Sequence, residues 1–391
     1  MQAVPVILPF WKRPAIASFT LVEMLVSCAI LVIILGVVLQ LTNQVSQVWR
    51  NSASRIQSFQ GAREGFETMT RKLSQATLNT YYDYYQLTNG AYILRTTNNA
   101  TTFVPTTYDR VSELQFISGQ ARTLLANSPT AITTQTHAVF FQAPSGYTAT
   151  PASYQQLDNA LNGCGYFLEF DAGTSSIPSY ILNSPSYKPR YRYRLMEMQQ
   201  PTENLAVYND NWSGNWFVNN AVNTAANKNS RILAENVIAL VLLPKLPASM
   251  DPTGTNMAPG CNYNSRIGLG VSTATGDTNW TGFPGDAFTS QTNSAYSGVS
   301  TLTRHHQLPP IIQVMMIAID EPSAVRLQAL QGGATTVPPA INLAANTSLF
   351  TNAASLSNDF QTVQTTLTAA HVSYRIFYTD VLLRQAKWSN Q

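Results

Sequence analysis

The chain opens with one long apolar block and then changes rhythm. Phe19 to Leu39 reads FTLVEMLVSCAILVIILGVVL, 21 residues carrying a single charge, Glu23. At the α-helical rise that is about 31 Å, enough to cross a hydrocarbon core. Beyond it, apolar residues recur at Leu41, Val45, Val48, Trp49, Ile56, Phe59, Phe66, Met69 and Leu73. Spacings of three, four and seven mark one face of an amphipathic helix. No proline interrupts the stretch between Pro14 and Pro105. The pattern fades at Thr80-Tyr81-Tyr82-Asp83. It predicts one helix from about Phe19 to about Leu78. An apolar half, 19–39, leads into an amphipathic stalk, 40–80.

After the helix, short apolar or alternating runs alternate with polar stretches rich in Pro and Gly. Strands are expected at 91–95, 113–117, 138–142, 166–170, 180–182, 190–195, 216–218, 237–243, 311–319 and 372–383. Arg190-Tyr191-Arg192-Tyr193-Arg194 alternates strictly, the pattern of a half-exposed strand. Residues 237–243 are continuously apolar, and 311–319 are broken only by Gln313, so both read as buried strands. Segments 252–303 and 332–361 read as long polar surface loops. The expected fold class is α+β. A long N-terminal helix, membrane-embedded in its first half, packs on a large antiparallel β-rich head, 81–391.

Composition narrows the class. Charged residues are 11% of the 391, against roughly 25% in ordinary soluble domains. Hydrophobic residues are 45%, enough for a real core. Lys+Arg 23 against Asp+Glu 20 gives +3, too balanced for a nucleic-acid groove, so no nucleic-acid partner is expected. Abundant Asn, Thr, Ser and Tyr suit an exported surface protein. Lys12 and Arg13 precede the apolar block and should stay cytoplasmic, which sends the C-terminal bulk outward.

Three readings compete for 19–39. A cleaved signal peptide has a shorter apolar region and a small-residue cleavage site, which is missing here. Leu25-Val26-Ser27-Cys28 loosely matches a lipoprotein signal, but eleven residues of the apolar block would follow the lipidated Cys28. The third reading is a retained membrane helix with a carboxylate near its start. A charge in a bilayer costs on the order of 2.5–3.5 kcal/mol on insertion scales and marks a functional-site hypothesis. Glu23 either snorkels to the interface or pairs with a cation that arrives on assembly.

Catalytic chemistry is sparse. No phosphate loop, H-E-x-x-H or G-x-S-x-G occurs, so neither enzyme activity nor a cofactor is expected. His305-His306 reads as a solvated loop pair rather than a metal site. Asn209-Asp210-Asn211 lacks EF-hand spacing and reads as an Asx turn. Trp212 and Trp216 read as core or hairpin residues before a sugar-binding shelf. Cys28 lies in the apolar helix. Cys164 and Cys261 both fall in the exported head and are the candidate disulfide pair, the alternative being two free thiols.

The start of the helix resembles the class III signal of type IV pilins and type II secretion pseudopilins. That pattern is a basic leader, a small residue, then Phe-Thr-Leu-Ile/Val-Glu opening an apolar helix. It corresponds here to Lys12-Arg13, Ser18 and Phe19-Thr20-Leu21-Val22-Glu23. Ser18 stands where Gly is usual, and the leader is unusually apolar at 4–10. Leu233-Ala234-Glu235-Asn236-Val237, followed after a long loop by Leu308-Pro309-Pro310-Ile311-Ile312-Gln313-Val314, resembles the J-type minor pseudopilins and W-type minor pilins. The ending Tyr374 to Arg384, YRIFYTDVLLR, is similar to that of the Verru_Chthon cassette protein C family of Verrucomicrobia.

The resemblance implies a prepilin peptidase that removes 1–18 by cutting between Ser18 and Phe19 and methylates the Phe19 amine. It implies residence in the inner membrane, then assembly with other pilin-like subunits into a pseudopilus or pilus. There the Phe19 amine would pair with a neighbour's Glu23. The head, roughly 310 residues, has an expected radius of gyration of about 19 Å. That is far wider than a helix of about 10–12 Å, which implies a minor subunit at the filament tip. An adhesin or other ligand-binding minor pilin is the alternative. A membrane-anchored extracytoplasmic enzyme is the third class.

Overall fold

The computed structural model describes residues 20–88, 91–94, 101–153, 157–174, 177–209, 215–222, 229–266, 306–332 and 335–387. Helix α1 (Leu21–Leu73) is one uninterrupted run of 53 residues. Arg71 and Lys72 sit in its last turn, where cations favour the negative end of the helix dipole. It ends short of the expected Leu78. The chain tightens through Gln75 and Ala76, and the Thr77 N–H bonds the Gln142 carbonyl at 2.9 Å, capturing the chain for a sheet. Two compact units divide the molecule, 1–53 and 54–391, with the boundary inside α1.

The remaining elements follow in order. They are β1 (Tyr81–Thr88), β2 (Ala91–Leu94), β3 (Thr107–Val111), β4 (Ile117–Gln120), α2 (Ala121–Leu124), β5 (His137–Pro144), β6 (Leu161–Asp171), α3 (Ser179–Leu182) and β7 (Arg192–Gln200). Then come α4 (Val218–Ala221), β8 (Ser230–Glu235), β9 (Val237–Lys245), β10 (Tyr263–Asn264), β11 (Ile311–Ile319), α5 (Glu321–Leu330), α6 (Leu356–Ala369) and β12 (Tyr374–Leu382). The fold class is α+β, a long N-terminal helix followed by antiparallel sheets. Among the described residues the sheets run β2-β1-β3, β10-β4-β5-β6-β7-β8 and β12-β11-β9.

Alternation along β5 and β6 separates two cores. Val139, Phe141, Tyr166 and Leu168 face the larger one, shared with Phe66, Met69 and Leu73 of α1 and with β9 and β11. Phe140, Phe167, Met196 and Met198 face the smaller one, closed by Trp216 and Phe217. Strands β9 and β11 are buried along nearly their whole length, which is why they read as continuous apolar runs. One edge of β9 pairs with β11. Its other edge is satisfied by three consecutive side chains. Gln135 Nε2 donates to the Ile238 carbonyl, Thr136 Oγ1 accepts the Leu240 N–H at 3.0 Å, and His137 Nδ1 accepts the Leu242 N–H at 2.9 Å. An unpaired buried strand edge would cost several backbone hydrogen bonds. These side chains therefore weld the small sheet to the large one.

Several expectations are corrected. The 180–182 run is a helical turn, α3, entered from Pro178, and Tyr180 lies exposed. The 216–218 run turns into α4, because Phe217 is drawn onto Phe140 with ring centroids 4.1 Å apart. Strand β4 begins only at Ile117, not at 113. The alternating run is not a half-exposed strand: Arg190 is exposed, but Arg192, Tyr193 and Arg194 are all buried, the two arginines by pairing with carboxylates. Segment 332–361 is no free loop, since Ile341, Leu343, Phe350 and Leu356 join the larger core through short 3-10 turns and the start of α6. The first part of 252–303 packs down likewise through Met257, Ala258 and Tyr263, while 267–303 lie outside the described residues.

Two predictions follow from this packing. At Gly165 an added Cβ would lie 2.2 Å from the Phe140 ring, itself held against Phe217. At Gly61 in α1 nothing lies within 4 Å. Urea unfolding should show Gly165→Ala destabilising by about 1–3 kcal/mol and Gly61→Ala stabilising by up to about 1 kcal/mol. The second concerns His137, whose Nε2 donates to the Phe350 carbonyl at 2.7 Å while Nδ1 accepts. Burial first of all lowers its pKa from 6.5 to about 4, against the raising effect of its backbone partners. The neutral ring is the folded form, so its contribution is complete above pH 6.5 and is lost as pH falls through about 4. The advantage of wild type over His137→Gln should shrink by about 3 kcal/mol between pH 7 and pH 4 in urea titrations.

Candidate functional site

The N-terminus of α1 is built by four residues, Thr20-Leu21-Val22-Glu23. The Glu23 carboxylate accepts the Thr20 N–H at 3.2 Å and the Thr20 hydroxyl at 3.1 Å. The Glu23 N–H donates back to Thr20 Oγ1 at 3.3 Å. This is a capping box, which satisfies backbone donors that a helix start leaves orphaned. The T-x-x-E spacing was visible in the sequence and marks Thr20 as the residue that sequence reasoning passed over. Ser18 and Phe19 lie outside the described residues.

From Leu21 to Trp49 the large apolar side chains of α1 are exposed, Leu21 at 77% and Trp49 at 75%. The stretch Leu21–Arg50 is long and apolar enough to cross a membrane, and its apolar window is not buried by the protein. Two of its hydroxyls bond their own helix: Ser27 donates to the Met24 carbonyl at 2.9 Å and Thr42 to the Val38 carbonyl at 2.8 Å. Over 21–39 the only charged side chain is Glu23, held by Thr20, a surface that suits lipid or other apolar helices.

The far end of α1 is pinned to the head by charge. Lys72 Nζ reaches Glu197 Oε1 at 2.9 Å, and Arg231 Nε holds Oε2 at 2.7 Å. The Tyr166 hydroxyl adds a bond to Oε1 at 2.9 Å. Glu197 is fully buried. Burial alone would raise its pKa, but the hydrogen bonds and charges of Lys72 and Arg231 hold it below the ordinary carboxylate range. Breaking one partner of a buried pair costs on the order of 3–5 kcal/mol. The Phe66 ring lies 5.8 Å from that of Phe377 on β12 and completes the docking.

The remaining candidates separate. Cys164 and Cys261 are two buried free thiols, not a bridge. Cys164 is locked mid-strand between Phe141 and Gln199, whereas Cys261 sits on a positive-φ turn within the field of Asp359. Burial, the largest cause in each, pushes both thiols up to about 12. Trp216 is buried, with Nε1 donating to Gln115 at 3.0 Å, so it forms no surface shelf. His306 is buried and its backbone N–H bonds Ser265. Asp210, Asn211, Trp212 and His305 lie outside the described residues. Among the described residues no three His, Cys, Asp or Glu side chains are placed to hold a metal ion.

No protein-family model, curated protein or solved structure matches the chain. What stands is the class: an α+β protein whose long N-terminal apolar helix precedes a β-rich domain.

The thiols give a direct check. Under native, non-reducing conditions Cys164 and Cys261 should resist alkylation, because neither is exposed nor ionised. Both should alkylate without reductant once the head is unfolded, as read by peptide mass mapping. Recovery of a 164–261 disulfide peptide would contradict this.

Proposed function

We propose that this chain is a pilin-like structural protein, a minor pseudopilin or minor pilin. The observation that carries it is α1, an uncovered apolar helix with one carboxylate held at its first turn. In this reading a prepilin peptidase cuts between Ser18 and Phe19 and methylates the new amine. The subunit waits in the inner membrane with its head extracytoplasmic. It then packs α1 against the helices of other pilin-like subunits in a type II secretion pseudopilus or a type IV pilus. Glu23 exchanges its Thr20 partner for the Phe19 amine of a neighbour. That pair sets register among otherwise interchangeable apolar helices. The size of the head favours a tip position and a low copy number.

A ligand-binding minor pilin is the second reading. Tyr82, Tyr84 and Tyr108 favour it: all three are exposed on one face of β1 and β3, with the Tyr82 and Tyr108 rings 6.2 Å apart. Shear-resistant surface attachment by bearing cells, lost on deletion, distinguishes it from secretion.

Substitutions at Glu23 separate the charge from the cap. Glutamine keeps a capping box and removes the charge, while alanine removes both. Both Glu23→Gln and Glu23→Ala should insert and be cleaved, yet be absent from sheared filaments. Intact mass of the membrane-bound wild type should give a terminus at methylated Phe19. A lipid-bearing terminus at Cys28, or wild-type incorporation of Glu23→Gln, would defeat the reading.

A further inference from the structure

A cluster of charged side chains closes one end of the six-stranded sheet. Arg194 is buried, and its guanidinium donates to Glu235 at 3.2 Å, to Asp171 at 2.6 Å and to the Arg190 carbonyl at 3.0 Å. Arg192 reaches Glu321 on α5 at 3.3 Å, and Arg190 lies 3.7 Å from Glu235 and 3.5 Å from Glu321. Glu321 also accepts the Asn236 amide at 2.7 Å. Asn236 is the positive-φ residue at which β8 turns into β9. The cluster thus holds the joint between the large sheet and the small one.

Glu169 is the remaining carboxylate. In the strand register it stands directly opposite Arg194, which stands directly opposite Glu235, so the three share one face in a row. Among the described residues Glu169 forms no ion pair, because Arg194 is already given to Asp171 and Glu235. With Glu169 neutral the cluster counts three guanidiniums against three carboxylates. With Glu169 ionised it counts three against four. On the β5 side of β6, the stretch 132–136 carries no titratable group to compensate.

We propose that Glu169 is a proton-operated release for this joint. Protonated, it leaves Arg194 with Asp171 and Glu235. Ionised, it competes for Arg194 and loosens the turn after β6 and the passage from β8 to β9. The acting charges are Asp171 on its own strand, Arg194 across on β7 and, beyond Arg194, Glu235 on β8. Burial first, then Asp171, raise the Glu169 pKa from 4.5 to about 7, with Arg194 opposing. The contribution of the protonated form is therefore complete below pH 4.5 and is lost as pH rises through about 7. The head would be tighter in a mildly acidic surrounding than in a mildly alkaline one.

The test is hydrogen exchange, read by mass spectrometry on the full chain in detergent micelles and corrected for intrinsic rates. Protection of peptides covering 170–174 and 234–238 should fall several-fold between pH 6 and pH 8. Glu169→Gln should abolish that fall. Asp171→Asn, which removes the neighbouring like charge, should move the transition to lower pH, and serves if the glutamine variant does not fold. Equal protection at pH 6 and pH 8 in the wild type would overturn the proposal. So would an unchanged fall in Glu169→Gln.

Discussion

One constraint governs this molecule: the first half of α1 is apolar around its circumference, and a helix of that kind needs apolar cover. Residues 21–39 are lined with Leu, Val and Ile that stay exposed. Burial is worth roughly 25 cal/mol per Å² of apolar surface, so a row of such side chains is a large unclaimed driving force. Everything polar in the segment is turned inward on the helix itself. Ser27 bonds a carbonyl of its own helix, and Glu23 is folded back onto Thr20. The helix is thereby prepared for an environment that offers no hydrogen bonds.

The second half of α1 meets the opposite situation. Phe66, Met69 and Leu73 enter the larger core, and Lys72 pairs with the buried Glu197 carboxylate. Position along the helix is fixed there by a charge pair rather than by apolar contact alone, since apolar surfaces slide more readily than paired ions. Polar side chains also fix the joints of the head. Side chains of 135–137 close the edge of β9, and an arginine–carboxylate cluster closes the β8–β9 joint. With only 11% charged residues, the chain concentrates ion pairs where elements meet.

Much of this was legible in the sequence where periodicity was strong. The long helix, β11 at 311–319, and the positions of β9 and β12 follow from apolar runs of the right length. What was not legible depended on contacts distant in the chain. Residues 216–218 look like a strand until Phe140 is there to stack on Phe217. The arginines of β7 look half-exposed until Asp171, Glu235 and Glu321 converge on them. Segment 332–361 looks polar because its core residues, Ile341, Leu343 and Phe350, are too irregularly spaced to show a period. The bridge between Cys164 and Cys261 was an inference from compartment and count, and neither bears on proximity. The cap at Thr20 was legible and was eclipsed by the charge of Glu23.

The proposed function stands on α1 finding its cover outside its own chain, in lipid and in helices like itself. A photoreactive residue placed at Ile30, irradiated in native membranes and again in sheared filaments, tests this most directly. The account predicts adducts to lipid in the membrane and to the apolar N-terminal helices of other subunits in the filament. Adducts confined to the head of the same chain, or to water-soluble partners, would contradict it.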